Sequence, residues 1–541
     1  MVAIKTARPW NITADGMERW LTRRSLFWVV LIVALTVYAQ SRFWNMGSAG
    51  DRANWDYIAQ VIARGDVPYR DVVNIKSPLS AYIGAAAIVV TRPLGLRDIY
   101  AIRIMYILLA ALTVAFTYLV ALDYFASCRL ALLAASVMLA FGALLRLNGG
   151  GTQPKTPMIL FGLMTLWAIM KDRPFAAGVF GMLSALSWQP GLLFVGAAGL
   201  AFSRYLTSWR DLKVLKLLAG AAVPLVLQLG YFWAAGALRD FYLWNIHFNA
   251  TIYGPRGVRT LSSFFNRIGK MLSGTYRDGR FYFYLSAIGL LIALWREAKD
   301  AKQGGRAKLQ DAAPRHAIII APIVYFLFCM IDIQGGADLI PLLPFVAIFA
   351  ALGIVYLLKG AAALLARARP SVNITAIESW GSALVLAIIF VISTGDSVFA
   401  RRDQSLKAQD AEVAQIVSYL QPGDKLYVHG QSEILVLSGL PNASRYYLLD
   451  RGKDEYLDQL LAGGFGAWLQ TLKDERPKIV VLSRMKTLVH KSEFLDWVHQ
   501  DYVMRKGRFF IFYVRKDAAG DIPPSQGDDD FEEDTQTSDE N

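Results

Sequence analysis

The apolar runs that recur from Leu26 to Ser393 constrain this chain more than any other feature, because a run approaching ~20 residues with almost no charge has to be shielded from water on every side. A soluble core cannot shield so many of them. Of 541 residues, 55% are hydrophobic and only 18% charged, which is more apolar than a water-soluble enzyme of this length requires. The runs therefore face lipid. From about Asp396 the composition becomes that of a soluble domain, and the chain ends in an acidic stretch. The expected division is a membrane module over 1–395, an α/β domain over 396–516 and a disordered acidic tail over 517–541.

Eleven spans are expected: Leu26 to Gln40, Ile99 to Ala121, Leu130 to Leu145, Pro157 to Met170, Phe175 to Trp188, Leu192 to Leu206, Leu217 to Leu238, Phe281 to Trp295, Ala317 to Ile331, Leu339 to Leu358 and Trp380 to Ser393. Several fall short of the ~20 residues that a crossing prefers. Lys5, Arg8, Arg19, Arg23 and Arg24 precede the first, which puts the N-terminus in the cytoplasm, and an odd number of crossings then puts the C-terminal domain outside. A signal peptide cleaved near Ala39 is the alternative, disfavoured by the many spans that follow. The dozen apolar residues of Leu79 to Val90 suit a helix lying in the membrane interface; counting them as a span would move the charge-dense stretch Arg296 to Arg315 outward, against the positive-inside bias. The fold class is thus a polytopic α-helical membrane protein, with about eleven transmembrane helices, interfacial helices and a soluble C-terminal α/β domain.

Charge narrows the function. The net charge of +13 hides ten acidic residues between Asp517 and Asn541, so the rest of the chain carries +23. Cytoplasmic loops account for part of that excess. Three segments expected outside are basic as well: Arg42 to Arg97, Arg146 to Lys155 and Arg239 to Arg280. Cations there gain nothing from the orientation rule, so an anionic partner such as a lipid phosphate is the natural reason for them, with contact to anionic headgroups as the plainer alternative. Nucleic acid is a poor third. Cys128 and Cys329 are too far apart in sequence to suggest a disulfide framework or thiolate metal site, and the five histidines form no pair at helical spacing.

Beyond Ser393, runs at Lys425 to Val428, Arg445 to Leu449, Lys478 to Leu482 and Phe509 to Val514 read as strands, with helices such as Ser405 to Leu420 and Tyr456 to Leu472 between them. No Gly-rich phosphate loop or nucleophile elbow marks this domain as catalytic.

The densest polar information follows the first span, where Asp51, Asp56, Asp66 and Asp71 are interleaved with Arg and Lys. Asp51 to Arg64 is expected to form a helix whose stripe of Trp55, Ile58 and Ile62 lies along the membrane surface; a solvated helix with ordinary charge pairs is the bland alternative. Glycosyl transfer from a lipid phosphate needs a base, cations on the departing phosphate and aromatic or polar contacts to the sugar, and this segment offers all three.

The pattern Asp51, Tyr57-Ile58-Ala59-Gln60, Gly65, Pro68-Tyr69-Arg70-Asp71, Lys76-Ser77-Pro78, Tyr82 resembles the first periplasmic loop of the GT-C superfamily, which includes bacterial relatives of protein O-mannosyltransferases and of the aminoarabinose transferase acting on lipid A. The resemblance implies Asp51 as catalytic base and Lys76 as a phosphate contact, with Tyr57, Tyr69 and Arg70 beside the substrate. Weaker similarities cover the rest of the membrane module. Asn148 to Pro157 resembles a second outer loop that carries an acidic residue in relatives, where this chain has Gln153 and Lys155. Trp244-Asn245-Ile246-His247-Phe248 resembles a third interfacial segment and implies a phosphate contact from His247, with a satisfied interfacial histidine as the alternative; Lys155, Arg256 and Arg259 are the outer-loop cations expected beside the donor. Where relatives show His-Tyr before a Leu-x-Pro pattern, Ala337-Asp338 stand here, and Asp338 is expected to pair with an outer arginine.

The expected activity is that of an inverting glycosyltransferase in a bacterial inner membrane. It would move a sugar from a polyprenyl-phosphate donor to a cell-envelope glycan, lipid or protein on the periplasmic side. No resident cofactor is expected, although related oligosaccharyltransferases use a divalent cation and that option stays open. A ligase or polymerase of lipid-linked polysaccharide would share the topology but place its cations in a late loop; a transporter would bury charge mid-span, where beyond Arg103 few ionisable groups occur.

Overall fold

A computed structural model describes residues 24–203, 212–253, 260–369, 373–399 and 401–521. Seven helices among the described residues are long and apolar enough to cross a membrane. These are built on α1 (Ser25–Gln40), α4 (Asp98–Phe125), α10 (Leu212–Ala234), the two halves of α12 (Arg280–Cys329), α13 (Leu343–Ala368) and α14 (Ile374–Phe399), three of them extended by an adjoining 3-10 turn. A bent pair, α5 (Cys128–Leu139) and α6 (Gly142–Gly149), meets the same test as one span broken by 60°. The three remaining expected spans are the shorter apolar helices α7 (Lys155–Met170), α8 (Pro174–Ser187) and α9 (Leu192–Phe202).

The 50-residue α12 is a hairpin rather than a rod. His316 Nε2 lies 2.9 Å from Glu297 Oε2 although the two are 19 residues apart, whereas a straight helix would separate them by about 28 Å. The chain doubles back between them, in the charge-dense stretch expected to be a loop.

Lipid supplies no hydrophobic drive between helices, so close backbone approach has to hold the bundle together. α13 is its centre, buried from Leu343 to Val355 against α12, α5 and α14. Gly289 and Gly353 let α12 and α13 touch: an added Cβ would collide with the Phe349 carbonyl oxygen in the first case and the Leu285 carbonyl oxygen in the second. Gly178 and Gly220 do the same for α8 and α10. Gly289→Leu should destabilise the protein by about 1–3 kcal/mol through overpacking. Gly360→Leu on α13, where an added Cβ meets nothing within 4 Å, should leave thermal unfolding in detergent unchanged.

The C-terminal domain is built on a four-stranded sheet of β1 (Leu426–His429), β2 (Ile479–Leu482), β3 (Tyr502–Lys506) and β4 (Ile511–Arg515), in the order β1-β2-β4-β3. β1 and β2 run parallel, and β4 lies antiparallel to both β2 and β3. Arg445 to Leu449, expected as a strand, is instead a connector whose backbone bonds elsewhere: the Arg445 carbonyl accepts from Val73 N–H at 3.0 Å and that of Tyr447 from Gly430 N–H at 2.8 Å. The single helix expected over Tyr456 to Leu472 is two, Lys453–Leu460 and Gly464–Asp474, broken where Gly463 and Gly464 adopt φ of 84° and 61°. Residues Lys516–Asp521 form a 3-10 turn, with Asp517 bonded to Arg515, while 522–541 lie outside the described residues.

The segment after α1 is enclosed rather than laid on lipid. α2 (Gly50–Ala63) carries the expected apolar stripe, but Trp55 and Ile58 bury in one core with Ile434, Leu435 and Val436 of α16 (Glu433–Ser438) and with the sheet residues Val428 and Val481. The stripe has the right period and a different partner: protein, not membrane. Val67, Tyr69, Val73 and Ile75 join a second core with Trp244, Tyr427 and Tyr456. α3 (Leu79–Thr91), expected in the interface, packs against α2, α4 and α8.

Candidate active site between the first loop and the C-terminal domain

Asp51 stands in the first turn of α2, at the edge of the membrane module. Its Oδ1 accepts from Arg484 Nη1 at 3.2 Å, yet the side chain remains 69% exposed, so the carboxylate is oriented without being buried. Lys155 and Arg451 both feel its charge.

One turn further, Asp56 is fully buried. Its Oδ1 accepts from Thr152 N–H at 2.9 Å, which fastens the glycine-rich loop to α2. Gly151 sits at φ 138°, and any side chain there would meet the Asp56 carboxylate. Burial pushes the Asp56 carboxyl up, while the Thr152 bonds and the nearby Arg103 and Arg52 pull it back down. Arg103, buried in α4, donates to the Trp44 and Met46 carbonyls and braces the turn that leads into α2.

The same loop delivers Lys155, whose Nζ lies 2.9 Å from Asp338 Oδ1 and 4.8 Å from the centre of the Trp188 ring. Asp338 therefore pairs with a lysine, not with the arginine expected, because α7 starts directly beneath it. Its Oδ2 also accepts from Gln334 N–H at 2.6 Å and Gly335 N–H at 2.9 Å, which fixes the turn before α13. That turn matters because Gln334 Nε2 donates to the Tyr253 hydroxyl at 2.7 Å.

Tyr253 is a hub that the sequence did not reveal. Arg451 Nη1 donates to its hydroxyl at 3.0 Å, and the Lys76 ammonium lies over its ring, 4.5 Å from the centre. Burial alone would raise this phenol, but Lys76, Arg451 and the bond from Gln334 hold it below the usual tyrosine range.

Lys76 is presented by a loop whose backbone is pinned at Lys76 itself. The Tyr69 hydroxyl donates to the Lys76 carbonyl at 2.6 Å, Asn74 Nδ2 donates to it at 3.1 Å, and Lys76 N–H donates to Asn74 Oδ1 at 3.1 Å. Tyr69 itself adopts φ 71°, a left-handed conformation rare outside glycine, and is fully buried.

Three side chains expected beside the substrate are engaged within the protein. Tyr69 has no exposed surface and acts on the Lys76 loop. The Tyr57 hydroxyl accepts from Asn442 N–H at 3.1 Å, and its ring packs on Tyr447 of the C-terminal domain. Arg70 spends its guanidinium on Asp71 and the Ala235 carbonyl. His247 lies in a π-helical turn, where its Nδ1 is 2.7 Å from the Tyr456 hydroxyl and its ring stacks on that tyrosine. Arg256 and Arg259 lie outside the described residues.

The C-terminal domain adds what its sequence did not advertise. Arg451 and Arg484 both adopt left-handed backbone conformations, φ 58° and 55°, as strained residues at functional sites do. His429, at the end of β1, ties their loops together: its Nε2 accepts from Leu449 N–H at 3.0 Å and its Nδ1 donates to the Ser483 carbonyl at 2.9 Å. Burial pushes this imidazole down to about 4, so it is the neutral form that holds both loops at neutral pH. Among the described residues no group of three or more His, Cys, Asp or Glu side chains is placed to hold a metal ion.

Fold and site together define a polytopic helical membrane protein with a small C-terminal α/β domain. Its fold is shared with ArnT from Cupriavidus metallidurans, solved bound to undecaprenyl phosphate (15% identity over 90% of this chain and 97% of that one, TM-score 0.56) and in the apo state (14%, 90% and 98%, TM-score 0.57). It is also similar to the archaeal oligosaccharyltransferase AglB from Archaeoglobus fulgidus, solved with an inhibitory peptide and a dolichol-phosphate (12%, 92% and 75%, TM-score 0.50). No family model matches the sequence, and neither does any curated protein.

Proposed function

We propose that this protein is an inverting glycosyltransferase that takes its sugar from a polyprenyl-phosphate donor on the periplasmic face of a bacterial inner membrane. One observation carries the reading: an open carboxylate, Asp51, stands at the start of α2 in one electrostatic neighbourhood with Lys155 and Arg451, while Lys76 and Arg451 share the Tyr253 ring and hydroxyl. The solved relatives that bind undecaprenyl phosphate and dolichol-phosphate support the choice of carrier. In the proposed reaction Asp51 takes the proton of the acceptor hydroxyl as its oxygen attacks the anomeric carbon. The bond from that carbon to the carrier phosphate breaks, and the phosphate leaves with the bonding pair. The leaving group is already an anion, so it needs cations more than a proton, and in this reading Lys76 supplies one. The acceptor is a glycan, lipid or protein of the cell envelope.

The test is to incubate the purified protein in lipid nanodiscs with a panel of polyprenyl-phosphate sugars and an envelope extract. Free polyprenyl phosphate should appear with at least one donor and only when acceptor is present. Lys76→Ala should weaken use of that donor by roughly 10- to 100-fold in kcat/KM, the ~1.5–3 kcal/mol of a charge-assisted contact. A wild-type protein that releases carrier from none of the panel sinks the reading.

A further inference from the structure

α2 begins without a cap of its own. The residue before it is Ala49, whose side chain accepts nothing, and Gly50 enters the helix at φ 60°. The first amide groups of a helix need acceptors, and an Asp, Ser or Asn at this position normally supplies one. Here it arrives from 383 residues away: Glu433 Oε1 accepts from Gly50 N–H at 2.9 Å. Two neighbouring contacts repeat the connection, Ser432 Oγ to Asn54 Oδ1 and Gln60 Nε2 to the Val436 carbonyl at 3.0 Å.

Topology explains why these groups meet. β1 and β2 are adjacent and parallel, so their carboxyl ends face the same way. The turn after β1 carries Glu433, and the residue after Ser483 at the end of β2 is Arg484, which holds Asp51. The carboxyl edge of a parallel pair is where α/β domains place functional groups.

We propose that Glu433 is a positioning residue that fixes the start of α2, and with it the Asp51 carboxylate, so that the C-terminal domain completes the catalytic site from the ends of β1 and β2. This rests on Asp51 being the base. Glu433 is 8% exposed, and its Oε2 has no hydrogen-bond partner among the described residues. Burial pushes its carboxyl up to about 7, against the pull of its own N–H, Gly50 N–H, Arg484 and Arg52, so a large share carries a proton near neutrality. A glutamine copies that form: its oxygen accepts from Gly50 and its amide replaces the second oxygen.

The experiment compares full-length wild type, Glu433→Ala and Glu433→Gln in nanodiscs by two readouts. Glu433→Ala should lower kcat by up to ~10²-fold, the scale of a slight misplacement of a reacting group, with donor KM nearly unchanged. Its amide hydrogen exchange over residues 50–54 should accelerate while the C-terminal domain stays protected. Glu433→Gln should restore both to near wild type. Unchanged exchange at 50–54 in Glu433→Ala, or a glutamine variant as impaired as the alanine one, overturns the proposal. Absence of sugar transfer by wild type itself would instead count against the glycosyltransferase reading, and the exchange readout would still decide the role of Glu433.

Discussion

Asp51→Asn is expected to lower glycosyl transfer by about 10²- to 10⁴-fold, the range that a positioned general base contributes. Asparagine keeps the size and an oxygen that can accept from Arg484, so geometry is preserved while the proton acceptor is removed. Stability should barely move. The Asp51–Arg484 pair spans 3.2 Å with the aspartate 69% exposed, and exposed pairs contribute ~0–1 kcal/mol. A fall in kcat with unchanged thermal unfolding therefore separates chemistry from folding. Turnover of the variant at the wild-type rate would remove Asp51 from the mechanism.

The second large effect lies in the pair beside it. Lys155 and Asp338 are only 18% and 8% exposed, so truncating one leaves the other charged and enclosed. Asp338→Ala should destabilise the protein by about 3–5 kcal/mol, the cost of breaking a buried pair, because it strands the Lys155 ammonium as well as the Gln334 and Gly335 amides. Replacing both partners, as in Lys155→Met with Asp338→Leu, should recover much of that loss, since apolar groups of similar volume need no counter-charge. Activity should not return with it. Gln334 would still lose its anchor to residue 338, and with it the placement of Tyr253 and Arg451. Melting temperatures of the two single variants and the double variant in detergent measure the coupling. Additive losses would show that the pair carries no special weight.

The sequence made the membrane module and the first loop legible because both signals are local. Apolar runs locate the helices, and the polar residues from Asp51 to Lys76 mark the loop that packs against the C-terminal domain. Amphipathicity was read in the right register at Trp55 and Ile58, but a 3.6-residue period cannot say whether lipid or protein covers the stripe. The strand over Tyr502–Lys506 was missed because it forms a sheet edge, where alternation is diluted by Arg505 and Lys506. The residues that complete the site were hidden for a different reason. Tyr253, Gln334, Arg451, Arg484 and Glu433 come from separate loops, and their roles depend on docking across hundreds of residues. The left-handed backbone that aims Arg451 and Arg484 has no glycine to announce it.

The cores shared by the first loop and the C-terminal domain impose an order on biosynthesis. At ~5–20 residues per second, the ribosome needs on the order of tens of seconds to proceed from Asp51 to the start of the final domain. Throughout that interval Trp55, Ile58 and Tyr69 lack their eventual covering. A nascent chain released early would therefore be inserted yet catalytically inert, and its bare loop would be the natural target for the holding factors and proteases that inspect unfinished membrane proteins.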